Sequence, residues 1–145
     1  MRYFVDTEFN GFGGDLISIA AVPEDAASPP FYEAVECALP SDWVAEHVLP
    51  VLQTKPRSLA KVASLFAQFL DNDAAPVVIA DWPEDIAHAA ALLTNGRGGR
   101  LLKTEVVFTL LGQSEFSADR SSEVPHNAYY DALALRDWVL GLKDA

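Results

Sequence analysis

The sequence predicts an α/β fold: a mixed central sheet, its first three strands antiparallel, flanked by helices. Three observations carry the prediction. Residues 1–40 hold three apolar strand segments joined by short links, the pattern of an antiparallel meander. A continuous apolar run, Val77-Val78-Ile79-Ala80, has the character of a strand inside a sheet. Segments with helical apolar spacing precede it, follow it and close the chain, which gives the order βββ-α-α-β-α-β-α. With 145 residues, half of them hydrophobic, the chain suits one domain over 1–145 with a proper core.

The first strand is Tyr3-Phe4-Val5 running into Asp6-Thr7-Glu8. Phe9 to Asp15, with three glycines, is a turn signal. Leu16 to Val22 reads as a buried strand, Pro23 to Pro30 as a loop, and Phe31 to Leu39 as a third strand closed by Pro40. Ser41-Asp42 can cap a short helix from Trp43 to Leu49, ended by Pro50. Ser58 caps a second, whose Leu59, Val62, Leu65, Phe66, Phe69 and Leu70 form one apolar face, with Asp71-Asn72-Asp73 as its stop. After the Val77–Ala80 strand, Pro83 suits the first turn of a helix running to Leu93, and Glu84 and Asp85 suit its positive N-terminal end. Leu101 to Leu111 predicts a strand and then a short helix or turn; Gly112 to Val124 predicts a loop. The last helix is expected from Asn127 to Leu142, with Ala128, Ala132, Leu135, Trp138, Val139 and Leu142 as its buried stripe and Gly141 and Lys143 at its end.

Composition excludes several classes. Abundant apolar and aromatic residues argue against disorder. No run of 18 or more apolar residues supports a membrane span, and the N-terminus lacks a basic n-region and cleavage site, so a cytoplasmic protein is the expectation. Cys37 is alone, which excludes an internal disulfide and any cysteine-rich zinc site. A net charge of −11 argues against a broad basic surface for duplex nucleic acid. It leaves room for an enzyme that grips a few nucleotides through bound metal.

In a strand, alternate side chains share a face, so Asp6 and Glu8 point the same way. Two adjacent carboxylates repel unless a cation lies between them, and an oxygen-preferring Mg²⁺ or Mn²⁺ is the natural occupant. The pair alone is weak evidence: among 21 acidic residues, roughly three such pairs arise by chance, and Asp71/Asp73 reads as a plain polar turn. Further carboxylates in related settings raise its weight. Asp81 and Asp85 follow the apolar strand, and Asp131 sits early in the last helix, five residues after His126.

With these in hand, the chain resembles the DEDD 3′–5′ exonucleases. Phe4-Val5-Asp6-Thr7-Glu8-Phe9 is similar to their first motif, and Gly11 to Ala20 to the turn and second strand beyond it. Ile79-Ala80-Asp81-Trp82-Pro83-Glu84-Asp85-Ile86 is similar to the second. His126-Asn127-Ala128-Tyr129-Tyr130-Asp131-Ala132 resembles the third motif of the histidine-bearing DEDDh branch, which includes RNase T and oligoribonuclease. The short chain most resembles a compact subfamily of bacterial 3′–5′ exoribonucleases. The chain departs at the second motif, where family members usually carry Asn in place of Asp81 and an aromatic in place of Glu84. Aligned without gaps, Asp85 matches the motif's aspartate; Asp81 takes that place if Pro83 reshapes the turn. Asp85 is preferred, and the other acid then caps a helix or is solvated.

The resemblance implies an RNase H-like fold and a single DEDDh exonuclease domain. It implies two Mg²⁺ or Mn²⁺ ions about 4 Å apart flanking the last phosphodiester. Asp6 would bridge them, Glu8 and Asp131 would complete one ion's site, and Asp85 would support the other. His126 would be the general base, histidine being the side chain suited to proton transfer near neutrality. The expected partner is the 3′ end of single-stranded RNA or a short oligonucleotide, and the product a nucleoside 5′-monophosphate. Phe9, Asn10, Gly11 and Phe12 would hold the terminal nucleotide, the phenylalanines by stacking. Either phenylalanine could instead close the core. A homodimer is expected by analogy with RNase T-like relatives.

Arg97, Arg100 and Lys103 could neutralise distant phosphates, although a solvated basic turn is the plainer reading. Trp43, Trp82 and Trp138 read as packing anchors, Cys37 as a small core residue, and His47 and His88 as without metal-ligand spacing. Three alternatives stand beside the exoribonuclease. They are a DNA-directed exonuclease, a catalytically silent nucleotide or RNA-end binder of the same fold, and an ordinary acidic α/β domain.

Overall fold

The computed structural model describes residues 1–112 and 115–142. Its centre is a five-stranded sheet in the order β3-β2-β1-β4-β5, built from β1 (Arg2–Phe9), β2 (Leu16–Pro23), β3 (Phe31–Ala34), β4 (Val77–Ala80) and β5 (Val107–Leu110). β2 is antiparallel to both β1 and β3, while β1, β4 and β5 pair in parallel, so β2 alone runs against the rest. The expected mixed sheet with an antiparallel first trio is therefore present. Among the described residues five α-helices flank it: α1 (Asp42–His47), α2 (Leu59–Asp71), α3 (Pro83–Ala91), α4 (Ala118–Ser121) and α5 (Ala128–Val139).

Strand alternation sorts the core into two layers. Tyr3, Val5, Ile19 and Ala21 point to one face, where Val62, Phe66 and Leu70 of α2 and Ala89 of α3 meet them. Phe4, Ala20, Val22 and Ile79 point to the other, against Ala128, Ala132 and Leu135 of α5. A helix layer on each face is what lets β4 be apolar throughout. Asp6 and Glu8 continue the Phe4 face, so the same alternation that buries Phe4 aims both acids toward α5.

Several boundaries depart from expectation, each for a local reason. β3 stops at Ala34, not Leu39: the Val35 N–H still donates to the Ile17 carbonyl of β2, but the outer edge is taken by Arg57, whose N–H donates to the Ala34 carbonyl and whose carbonyl accepts from the Glu36 N–H. α1 ends at His47, and Pro50 lies inside a 3-10 turn, Leu49–Val51, instead of terminating a longer helix. α3 closes at Ala91. Within 101–111 only Val107–Leu110 is regular, as strand, and no helix follows it there. The expected loop 112–124 contains α4, with 113 and 114 outside the described residues.

α5 is shorter than predicted at both ends. Asn127 is its N-cap, the side-chain oxygen accepting from the N–H groups of Tyr129 and Tyr130. At the other end Gly141 takes φ 68, and the N–H groups of Gly141 and Leu142 donate back to Trp138 and Asp137, which closes the helix as a Schellman motif. Leu142 then points away, 64 % exposed, and leaves the expected stripe; Asp131 and Asp137 are buried in the helix instead. Lys143 lies outside the described residues.

Candidate metal centre

The site is built at the end of β1. β1 pairs with β4 only over Arg2–Phe4. Beyond that point its edge has no strand partner on this side, and the Thr7 N–H is free to bond elsewhere. Asp85, in the first turn of α3, takes it: Asp85 Oδ1 accepts from the Thr7 N–H at 3.0 Å and from the Thr7 hydroxyl at 2.6 Å. On the other edge, the register shift between Glu8 and Phe9 leaves Ile17 as an extra residue of β2, a bulge that bends the ladder beside the acids.

α5 brings the third carboxylate. One oxygen each of Asp6, Glu8 and Asp131 lie within 4.8 Å of one another. Asp131 Oδ2 accepts from the His126 N–H at 3.1 Å, which ties the acid to the loop carrying the histidine. Asp6 Oδ2 and Asp131 Oδ1 are buried and have no hydrogen-bond partner among the described residues. Unpaired buried carboxylate oxygens are costly, so an all-oxygen cage of this kind fits a hard divalent cation.

The electrostatics agree. Burial pushes Asp6 well above the ordinary carboxylate range, and the charges of Asp85, Glu8, Asp131 and Asp81 push it further. Burial, then the neighbouring Asp131, raises Glu8 to about 8. Burial also raises Asp85 to about 7, against the lowering bonds from Thr7, and Asp131 to about 6. Four acids that resist ionising together suit a site that a cation would neutralise.

The other expected residues divide. Asp81 is half-buried and raised by burial, but Asp85 is the acid locked to β1. His126 adjoins the cage through Asp131 and takes φ 67. Phe9 is half-buried and stacks on His88, ring centres 5.3 Å apart, whereas Phe12 is 88 % exposed and does not close the core. Gly11 takes φ 79, which a side chain would resist. The Asn10 amide is committed at both ends: Nδ2 donates to the Leu39 carbonyl, and Oδ1 accepts from the Ser41 N–H.

Arg97, Arg100 and Lys103 belong to the segment between α3 and β5, whose Leu101 and Leu102 pack into the core on the α2 and α3 face, the face away from α5. Arg100 donates to the Thr104 carbonyl, and the Lys103 N–H donates to Asp71 at the end of α2. Trp138 packs as expected, on Phe116. Trp43 and Trp82 are about half exposed and are not core anchors. Cys37 is a free, half-buried thiol beside a small apolar cluster.

Sequence reasoning missed four participants. Thr7 orients Asp85. Glu84 accepts from the Gly13 N–H at 2.7 Å and from the Trp82 indole at 3.3 Å, which pins the turn to α3. Gly14 has no space for a Cβ, which would stand 2.1 Å from the Asn10 carbonyl oxygen. His47 lies within a ring cluster with Trp43 and His126. The glycine alone carried a signal, as part of the turn; the others depend on contacts between distant segments.

No protein-family model matches the chain, and no curated protein matches it in sequence. Among the described residues, no helix is long and apolar enough to cross a membrane.

Proposed function

We propose that the chain is a metal-dependent 3′–5′ exoribonuclease with an RNase H-like fold, acting on short or single-stranded RNA in the cytoplasm. The observation that carries this reading is the convergence of Asp6, Glu8 and Asp131 within 4.8 Å, with Asp85 bonded to the intervening Thr7 and His126 to Asp131. The strand order, with β2 alone reversed, supports the fold assignment.

Asp6, Glu8 and Asp131 would hold Mg²⁺ or Mn²⁺, with Asp85 supporting a second ion. Bound there, the metal supplies charge neutralisation at the scissile phosphodiester and a more acidic water. The chain's own residues do the rest. Thr7 holds Asp85 at the end of β1. His126, on a partly exposed loop, accepts the proton of the attacking water at an imidazole nitrogen. Phe12 offers an open aromatic face to the 3′-terminal base, a contact worth about 1–3 kcal/mol. Gly11 and Gly14 let the turn backbone take the shape that presents it. Hydrolysis leaves a nucleoside 5′-monophosphate and an RNA shorter by one residue.

The test is a 5′-labelled RNA oligomer incubated with the protein and Mn²⁺. Stepwise shortening from the 3′ end, nucleoside 5′-monophosphate release and arrest by EDTA are expected. Equal or faster digestion of the matched DNA moves the assignment to a DNA-directed exonuclease. Mononucleotide binding without turnover, unaffected by His126→Ala, moves it to a silent binder.

A further inference from the structure

α1 packs against the loop that carries His126, and two of its side chains are not used by the mechanism above. Trp43 stacks on His47, one turn along the helix, with ring centres 4.8 Å apart and planes 14° from parallel. Nδ1 of His47 lies 3.0 Å from the Trp43 carbonyl, a bond in which the imidazole must donate. His126 meets this pair from the side. Its ring is 5.0 Å from the indole at 80° and 6.4 Å from the His47 ring at 87°. On the far face of the indole it would stand much further from His47, so it abuts the edge of the stack.

Polar contact to the His126 ring is weak. The Asp119 carboxylate near its Nε2 is 3.9 Å away and exposed. The backbone beneath is in the left-handed region, at φ 67, where a residue with a side chain settles only under outside constraint. α1 is in turn placed by β1: Asn10, one residue past the strand, bonds the Leu39 carbonyl at 2.9 Å and the N–H of Ser41, the α1 N-cap, at 2.8 Å.

We propose that Trp43, backed by His47, is a positioning residue for His126. The edge of the stacked pair sets the angle of the imidazole on the loop whose backbone bonds Asp131, and Asn10 fixes α1 relative to the strand that carries Asp6 and Glu8. The catalytic consequence rests on the exonuclease reading; the positioning itself does not.

Two measurements decide it. In Mn²⁺-dependent RNA hydrolysis, Trp43→Ala is expected to lower kcat by about 10- to 100-fold, the effect of a misplaced catalytic group. KM should stay within about twofold, as for a group that acts only after binding. Trp43→Phe, which keeps an aromatic edge, restores most of kcat. Independently of activity, NMR of histidine-labelled protein should show His126 ring C–H resonances displaced by the indole ring current. They are assigned by their loss in His126→Gln, and Trp43→Ala should move them toward free-histidine positions. Raised KM with kcat kept would make Trp43 a substrate contact and overturn the proposal. Unmoved His126 resonances would overturn it as well. If the wild-type protein hydrolyses nothing, the exonuclease reading fails, and the NMR arm still decides the placement of His126.

Discussion

Thr7 shows how one side chain can join two halves of a site. Its neighbours Asp6 and Glu8 face α5, but its own N–H and hydroxyl turn to the β4 edge, where Asp85 occupies the position a longer β4 would have filled. Thr7→Val keeps the shape and removes the hydroxyl donor. It should cost about 1–2 kcal/mol of stability, read as a lowered denaturant midpoint. It should also weaken Mn²⁺ binding by about tenfold, read by calorimetry, because supporting groups orient metal-binding acids. An Asp85 that keeps its metal affinity without Thr7 would show that the bond only stabilises the fold. Asp6→Asn tests the opposite balance. It removes a buried, repelling charge whose Oδ2 has no partner, so the metal-free protein should melt several degrees higher at pH 8 while Mn²⁺-dependent hydrolysis is lost. A collapse of the metal-free melting temperature in that variant would count against the cage.

At the scale of elements, the turn from Phe9 to Asp15 is as fixed as a strand. Asn10 ties it to α1, Glu84 ties it to α3, and the Asn10 N–H donates to the Asp15 carbonyl. Gly14→Ala would drive a Cβ to 2.1 Å from a backbone oxygen held by these bonds. It should cost about 2 kcal/mol or more by thermal melting, in the range of strained substitutions, and should raise KM for RNA. Gly112→Ala, whose added methyl meets nothing, is the matched control and should be near neutral. Elements that carry a local signal are legible in the sequence. Ser58 and the apolar face of α2 announce a helix, and Val77–Ala80 announces an inner strand. Asp6 and Glu8 were readable as a pair because a period of two puts them on one face. The choice of Asp85 over Asp81 as the acid bonded to β1 needed to show how short β4 is. α4 was unreadable because four residues hold too little periodicity, and the early end of β3 is decided by Arg57, more than twenty residues away. Trp43, His47 and His126 meet only once the chain has folded, so no local pattern announces them.

For the whole molecule the consequence is an inverted pH response. Most proteins lose stability as acid protonates paired carboxylates. Here Glu8 rises from 4.5 to about 8, Asp85 from 3.8 to about 7, Asp131 from 3.8 to about 6, and Asp6 moves the same way. Between its unfolded and folded values each of these acids binds more protons when folded, so stability falls as pH rises through the window from about 4 to about 8. His88, whose burial lowers its pKa, contributes with the opposite sign, one group against these acids and Asp81, which burial also raises. Acids with lowered values, such as Asp71 and Asp73, act only below this window. The metal-free protein should therefore melt several degrees lower at pH 8 than at pH 5. Mn²⁺ binds the ionised cage, so at saturation it should stabilise most at pH 8, where the free protein is weakest, and flatten or reverse the slope. Differential scanning calorimetry across pH 5–8, with EDTA and with Mn²⁺, reads both curves. A metal-free melting temperature that climbs steadily over this range would mean that the four acids ionise without strain, and that nothing about the cage calls for a cation.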